Sequence, residues 1–192
     1  PMLRLSWPIG PGQLDLLAIN FSENIYPALS SRERLGLRIA KEATYSAGAE
    51  RADIARAVRW SGYFGDVDLG LSWFRGTGNE PRLLPQADRT IKPDYSRITQ
   101  AGIDIQHLRG DSAMKADLVW RSGQYDRLGT IKSYRAGVIG VEHNLYDILS
   151  SGRDIVLIGE YAHDSRKGLS HSGFQNDMTI AARWLLNDVE DT

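Results

Sequence analysis

Two pairs of acidic residues have a spacing that suits acid/base or cation chemistry. Asp66 and Asp68 are two residues apart and Glu160 and Asp164 are four apart, so each pair shares one face if its segment is a β-strand. Paired carboxylates act as general acids and bases, or as oxygen ligands of hard cations. Basic residues recur on the same face of neighbouring segments, so we expect these carboxylates to form a ladder of salt bridges instead.

The histidines and serines form no recognisable catalytic or metal-binding pattern. His163 and His171 flank one polar stretch, but the sequence indicates no further ligands that would complete a metal site. The chain has no cysteine, which excludes a disulfide, a thiolate metal site and a cysteine nucleophile. It has no Gly-x-Ser-x-Gly nucleophile elbow either. We therefore expect no enzyme, no cofactor and no metal site.

Composition narrows the class of protein only slightly. The 192 residues are enough for one domain, and 23 basic against 24 acidic residues give a net charge of −1, which offers no reason to expect nucleic acid as a partner. No apolar run approaches the eighteen or so residues of a membrane helix. The chain begins at Pro1 and its first residues already alternate as in a strand, so we interpret residues 1–192 as one domain that is an internal fragment, truncated at both ends.

The elements that must position these residues are strands, because apolar and polar residues alternate with period two along most of the chain. Several of these segments span ten or more residues, which is longer than the usual soluble strand and typical of a tilted strand that crosses a bilayer. One short helix is predicted over Ser31–Thr44. The predicted strands are four hairpins and a ninth strand: Met2–Ile9 with Gln13–Asn20, Asp53–Tyr63 with Asp66–Arg75, Ile98–Arg109 with Ser112–Arg121, Ser133–Tyr146 with Asp154–Asp164, and Asp177–Asn187.

Connections between these strands alternate between short and long. Short ones lie near Gly10, Gly65, Gly110 and Ser150, and long polar stretches lie between the hairpins. A meander with its tight turns at one end and its long loops at the other is typical of an up-and-down transmembrane β-barrel. The fold prediction is therefore an all-β antiparallel meander of the transmembrane barrel type, incomplete with about nine strands visible.

Alternation also divides the strand residues into two predicted faces. An aromatic-rich apolar face is predicted to meet lipid, and it comprises Leu69, Leu71, Trp73, Ile103, Leu118, Trp120, Leu157 and Trp184. A charged face is predicted to line a polar lumen, and it comprises Asp68, Asp104, Lys115, Asp117, Arg121, Glu142, Glu160 and Arg183. Arg56 argues against this division, because it shares the parity of Val58 and Trp60, and an arginine in mid-bilayer costs a few kcal/mol.

Four segments of the chain resemble a family of largely uncharacterised, porin-like outer-membrane β-barrel proteins of Gram-negative bacteria. They occur in order along most of the chain: Phe64–Gly76, Ile103–Gln106, Gly140–His143, and Asn176-Asp177 with Ala182-Arg183. The resemblance implies a barrel in the outer membrane with lipid as its partner and no known chemistry, and it supplies no functional residues.

The pattern of strands, loops and faces favours an outer-membrane barrel that lets small solutes pass or that maintains the envelope. In a conducting barrel, the charges of the lumen face would set the charge selectivity. A soluble antiparallel sandwich also alternates, so a soluble β-barrel or sandwich that binds a small apolar ligand is the alternative. An outer-membrane hydrolase is a third interpretation.

Overall fold

The computed structural model describes residues 2–24, 38–170, 173 and 175–186 as an all-β protein. It confirms the predicted antiparallel meander and adds three short strands. The strands are β1 (Met2–Ile9), β2 (Gly12–Asn20), β3 (Arg38–Ile39), β4 (Thr44–Ser46), β5 (Ile54–Phe64), β6 (Val67–Thr77), β7 (Arg82–Pro85), β8 (Thr90–Arg109), β9 (Ser112–Ser122), β10 (Tyr134–Leu145), β11 (Asp154–Asp164) and β12 (Asn176–Leu185).

Nine of these strands follow one another in space in the order β1-β2-β5-β6-β8-β9-β10-β11-β12. Each pairs antiparallel with the next, as sequential hairpins require. Over the described residues the sheet is open, with β1 and β12 as its two edges. The sheet therefore presents two long faces, and every residue of a strand belongs to one of them.

The long strand β8 begins at Thr90 and not at the predicted Ile98, because its first half belongs to a second, smaller sheet. There β3 and β4 pair with it in parallel, and β7 pairs with it antiparallel. Strands of two to four residues leave too little alternation for a period-two signal. The predicted helix over Ser31–Thr44 is wrong where it can be compared, since Arg38–Ile39 is a strand, and residues 31–37 lie outside the described part.

The small sheet contains the best-buried aromatic residue among those that the structure describes. Tyr95 on β8 is 1% exposed and packs edge-on against Phe21 and stacked on Tyr45, with ring centroids 5.0 and 5.8 Å away. The backbone amide of Asn24 donates a hydrogen bond to the Tyr95 hydroxyl. The Tyr45 hydroxyl donates to the carboxylate of Glu23, and burial together with this bond raises the pKa of Tyr45 above its usual range. This aromatic cluster anchors the long loops to the sheet.

The other end of the sheet has tight turns. Hairpins β1–β2, β5–β6 and β8–β9 close through two residues each, and the first turn residue of the last two is Gly65 or Gly110 with φ of +60° and +55°. A positive φ is inexpensive only for glycine, and two-residue hairpin turns require it. The fourth hairpin has a longer connection, since its strands pair as far as Leu145 with Ile155. The sheet thus has a short-turn end and a long-loop end.

Successive hairpins are staggered along the sheet. Gly12, the residue after the first turn, pairs with Gly62, which lies two residues before the end of β5 at Phe64. The same offset recurs at the next two hairpins, where Val67 pairs with His107 and Ser112 pairs with His143. Each hairpin therefore reaches two residues beyond the previous one, which is one residue of stagger per strand.

We expect Tyr95→Ala to destabilise the small sheet by about 3 kcal/mol or more, because it leaves a cavity among packed rings. Native-state hydrogen exchange measures this as faster exchange of the amides in Thr44–Ser46 and Arg82–Pro85. Tyr63→Ala is the matched control, because Tyr63 is 66% exposed and should leave these rates unchanged. Equal effects of the two substitutions would contradict the assignment of Tyr95 as the anchor.

Candidate functional site

One face of the nine-strand sheet is almost entirely apolar and is exposed. The eight side chains predicted to meet lipid all lie on this face by register, as do Leu5, Leu16, Val58, Ile105, Ile139 and Ile180. Leu71, Leu118 and Leu157 are 43–50% exposed, and Leu69 is half-buried. We call this surface the apolar face. No described part of the chain covers it.

The exposure of this face is abnormal for a protein in water. Soluble monomers rarely expose one contiguous apolar patch larger than a few hundred Å². Here the apolar residues buried among those described are few: Ala49, Ala55, Tyr95, Ile98, Tyr134 and Val156. Most of the large apolar side chains of the sheet therefore lie on an exposed surface.

Tryptophan and arginine mark the long-loop margin of the apolar face. Trp73 and Trp120 lie in the same row, with Ala101 between them on β8. Arg56 lies one row further toward the long loops, directly opposite Arg75. Arg56 is thus at the margin of the apolar face and not in its middle, which removes the objection that its parity raised.

The opposite face is polar and carries all eight residues predicted to line a lumen. The register places Asp68, Asp104, Lys115, Asp117, Arg121, Glu142, Glu160 and Arg183 together there. Asp104 and Asp117 lie directly opposite each other on neighbouring strands. We call this surface the polar face.

Arg59 and Asp104 form the clearest ion pair of the polar face. The guanidinium donates two hydrogen bonds, from Nη1 at 2.8 Å and from Nη2 at 2.9 Å, to the two carboxylate oxygens. The pair spans from β5 to β8 across the intervening β6, where Gly70 lies beneath it. A Cβ at Gly70 would overlap the Asp104 carboxylate, so only a glycine leaves room for the bridge.

Two further ion pairs extend this pattern along the sheet. Arg4 binds Asp15 at 2.7 Å and Lys115 binds Glu142 at 2.8 Å. These pairs are cross-strand salt bridges, but of the residues expected to form a ladder only Lys115 takes part in them. In the described part of the chain, the carboxylates of Asp117 and Glu160 form no side-chain hydrogen bond and no ion pair, although Asp117 is close enough to Arg59 to interact with it electrostatically.

The two carboxylate pairs singled out by spacing do not form acid/base pairs. Asp66 lies in a turn whereas Asp68 lies on the polar face. Asp164 is buried and binds the guanidinium of Arg166 at 2.6 Å and the hydroxyl of Ser170 at 2.7 Å, while Glu160 is exposed. These contacts give Asp164 a structural role at the end of β11.

A cavity of about 1410 Å³ lies against the polar face. Asp104, Asp117 and Glu160 line its wall, and the segments 80–85 and 124–129 line it at the long-loop end. Arg121 holds this end together, since it donates hydrogen bonds to Gln100, Glu80 and Gln124. This cavity therefore lies on the side of the polar face, and its wall combines charged side chains with apolar ones such as Leu83, Leu84 and Val138.

Glu80, Arg82, Gln124 and Arg166 are cavity residues that sequence reasoning missed. Glu80, Gln124 and Arg166 lie in long loops and Arg82 begins the short strand β7, so no long strand period assigns them a side. Arg82 binds Asp94 at 2.9 Å and lies over the Tyr125 ring at 4.0 Å, so it connects two loops through the small sheet. For Arg166 the sequence offers one local signal, the opposite charge of Asp164 two residues earlier, whereas the pairing of Arg82 with Asp94 depends on the register of the small sheet.

The described histidines lie apart from acidic side chains. His143 Nδ1 and Ser112 Oγ are 2.8 Å apart on the apolar face, but no acidic group orients this imidazole within the described residues. His163 contacts the side-chain oxygen of Asn176 at 3.4 Å. Groups of three or more potential metal ligands are absent from residues 2–24, 38–170, 173 and 175–186, and His171 lies outside these ranges.

Comparison with protein-family models, with curated proteins and with solved structures gives no match to this chain. In the part of the chain that the structure describes, no helix has the length and hydropathy needed to cross a membrane.

We expect Gly70→Ala to destabilise the sheet by about 1 kcal/mol, because the new methyl group collides with the Asp104 carboxylate and displaces the half-exposed bridge to Arg59. The midpoint of urea unfolding measures this loss. Gly159→Ala on β11 is the matched control, since its Cβ would meet Val141 at an ordinary 3.7 Å. A Gly70→Ala protein as stable as Gly159→Ala would show that the bridge does not constrain this position.

Proposed function

We propose that this chain forms the wall of a transmembrane β-barrel in the outer membrane, with its apolar face toward lipid and its polar face toward a water-filled lumen. The observation that carries the proposal is the separation of the two surfaces. The sheet exposes its apolar side chains on one face, and its charged side chains lie on the other, against a cavity. A bilayer supplies the apolar environment that the first face lacks, and a polar lumen solvates the charges of the second.

The stagger of the hairpins supports this proposal. One residue of stagger per strand shifts each strand by about 3.3 Å along its length, while neighbouring strands are about 4.8 Å apart. The ratio of these two lengths corresponds to a tilt of the strands by about 35° from the barrel axis. Strands of transmembrane barrels tilt by about 35–45°. The sheet therefore has the shear that a barrel wall requires, and most of its nine strands have the length to cross the hydrocarbon layer.

The two ends of the sheet give the wall an orientation. Two-residue turns dominate one end, and the long loops with their small sheet lie at the other. Outer-membrane barrels have short periplasmic turns and long extracellular loops. We assign the long-loop end to the cell exterior, where Trp73 and Trp120 lie at the level of the lipid headgroups.

The soluble alternative, a barrel or sandwich that binds a small apolar ligand, needs an apolar interior. Within the described residues, the apolar face lines no enclosed space, and the cavity has charged side chains in its wall. These observations favour the membrane proposal over the soluble one.

The proposed role is passive passage of small solutes through the polar lumen, or structural maintenance of the outer membrane. In a conducting barrel, Lys115, Arg121, Glu142, Glu160 and Arg183 set the charge selectivity, because charged rings control which ions enter a pore.

We expect Leu118→Arg to destabilise the protein by about 2–4 kcal/mol in phospholipid vesicles, the cost of a guanidinium in the middle of a lipid-facing wall. Val119→Arg is the matched control, because Val119 is the next residue on the same strand and faces the polar side. Urea unfolding of the protein in vesicles measures the free energy of unfolding of both variants. Equal tolerance of the two arginines would contradict a lipid-facing Leu118.

Passage of solutes predicts stepwise conductance when the full-length protein is added to a planar lipid bilayer. Substitution of Glu160 by Gln should then lower the preference for cations, since it removes an uncompensated negative charge from the cavity wall. Conductance no greater than that of an empty bilayer would exclude the channel role and leave the structural one.

A further inference from the structure

Three arginines border the apolar face at its long-loop margin. Arg56 on β5 and Arg75 on β6 are direct cross-strand neighbours, and Arg135 on β10 is opposite Trp120 on β9. All three are exposed. We call them the rim arginines.

The stagger of the strands brings the rim arginines to one height. Along the ladder, Arg135 lies one row, or two residues, nearer the short turns than Arg75. Three strand steps separate β6 from β10, and each step shifts the level of the short turns by one residue in the same direction. This shift of three residues cancels the difference of two, so Arg75 and Arg135 lie at the same height to within about one residue. The rim arginines therefore follow the tilt of the wall as a belt next to Trp73 and Trp120.

None of the rim guanidiniums has a protein partner in the part of the chain that the structure describes. The neighbouring Arg97 differs, because it binds Asp53 at 3.5 Å and Glu50 at 3.7 Å. No side chain in the row of Arg56 and Arg75 is acidic, since that row consists of Leu3, Ala18, Arg56, Arg75, Thr99 and Ser122. Like charges directly opposite each other destabilise a sheet, so this pair needs an anion from outside the wall.

We propose that the rim arginines bind the phosphate groups of anionic lipids, whose charge no cationic headgroup neutralises, in the leaflet at the long-loop end. The inference rests on the proposed membrane wall, and it adds the lipid chemistry that this wall recognises. Guanidinium groups bind phosphate through paired hydrogen bonds, and one phosphate between Arg56 and Arg75 relieves their repulsion. The neighbouring tryptophans place these guanidiniums at the depth of the headgroups, where the phosphates are.

The test compares two lipids by fluorescence. The protein is reconstituted in phosphatidylcholine vesicles to which one brominated lipid is added, either phosphatidic acid or phosphatidylcholine with brominated acyl chains. Bromine quenches tryptophan fluorescence on contact, so the quenching reports which lipid lies next to the protein. We expect stronger quenching by the brominated phosphatidic acid. Substitution of Arg56, Arg75 and Arg135 together by Gln should lower this preference by about fivefold per arginine.

The matched control is a second triple variant that removes the same number of positive charges. Substitution of Arg89, Arg127 and Lys132 by Gln removes three exposed cations that lie off the apolar face, and it should leave the lipid preference unchanged. Circular dichroism verifies that both variants keep their strand content. Added inorganic phosphate should not compete, since a free anion lacks the anchoring of the headgroup in the bilayer.

Three results would overturn the inference while leaving the membrane wall in place: quenching without preference for phosphatidic acid, equal loss in the rim and control variants, or full competition by inorganic phosphate. Absence of quenching by either brominated lipid would instead overturn the membrane proposal itself, together with the inference that rests on it.

Discussion

One constraint governs the arrangement of this protein: an apolar sheet face is stable only against an apolar environment and not against water. The row of Leu16, Val58, Trp73 and Trp120 crosses much of the sheet and is left uncovered by the described chain. Burying such side chains is worth about 25 cal/mol for each Å² removed from water. The described chain does not bury this face, so we infer that the surroundings of the protein do.

The polar face has the opposite requirement, because its charged side chains need water or partners of opposite charge. Its charges lie on strands where they are close to one another, and pairs such as Arg59 with Asp104 compensate much of that charge within the wall. Gly70 shows how closely backbone and side chains are matched, because the bridge passes over the one residue type that leaves room for it. The partly uncompensated Asp117 and Glu160 face the cavity, where we propose that water solvates them.

Alternation was sufficient to predict the nine long strands, their pairing and the face of every selected side chain, because period two is a local property of each strand. Ladder pairing then follows from the short turns at Gly65 and Gly110. The small sheet could not be predicted this way, since β3 and β4 are two and three residues long and pair in parallel with a distant part of β8. The contact of Arg82 with Asp94 could not be predicted either, because it is a cross-strand pair between β7 and β8 and therefore depends on the small sheet.

The most direct measurement is the accessibility of successive residues along β9 to reagents in lipid and in water. The natural chain has no cysteine, so single cysteines placed along this strand can carry a nitroxide spin label without background. For the protein in vesicles, the account predicts collisions with oxygen dissolved in lipid at Met114, Ala116 and Leu118, and collisions with a water-soluble paramagnetic reagent at Lys115, Asp117 and Val119. Accessibility to the aqueous reagent at Met114, Ala116 and Leu118, or the lack of any alternation along the strand, would contradict a wall between lipid and a polar lumen.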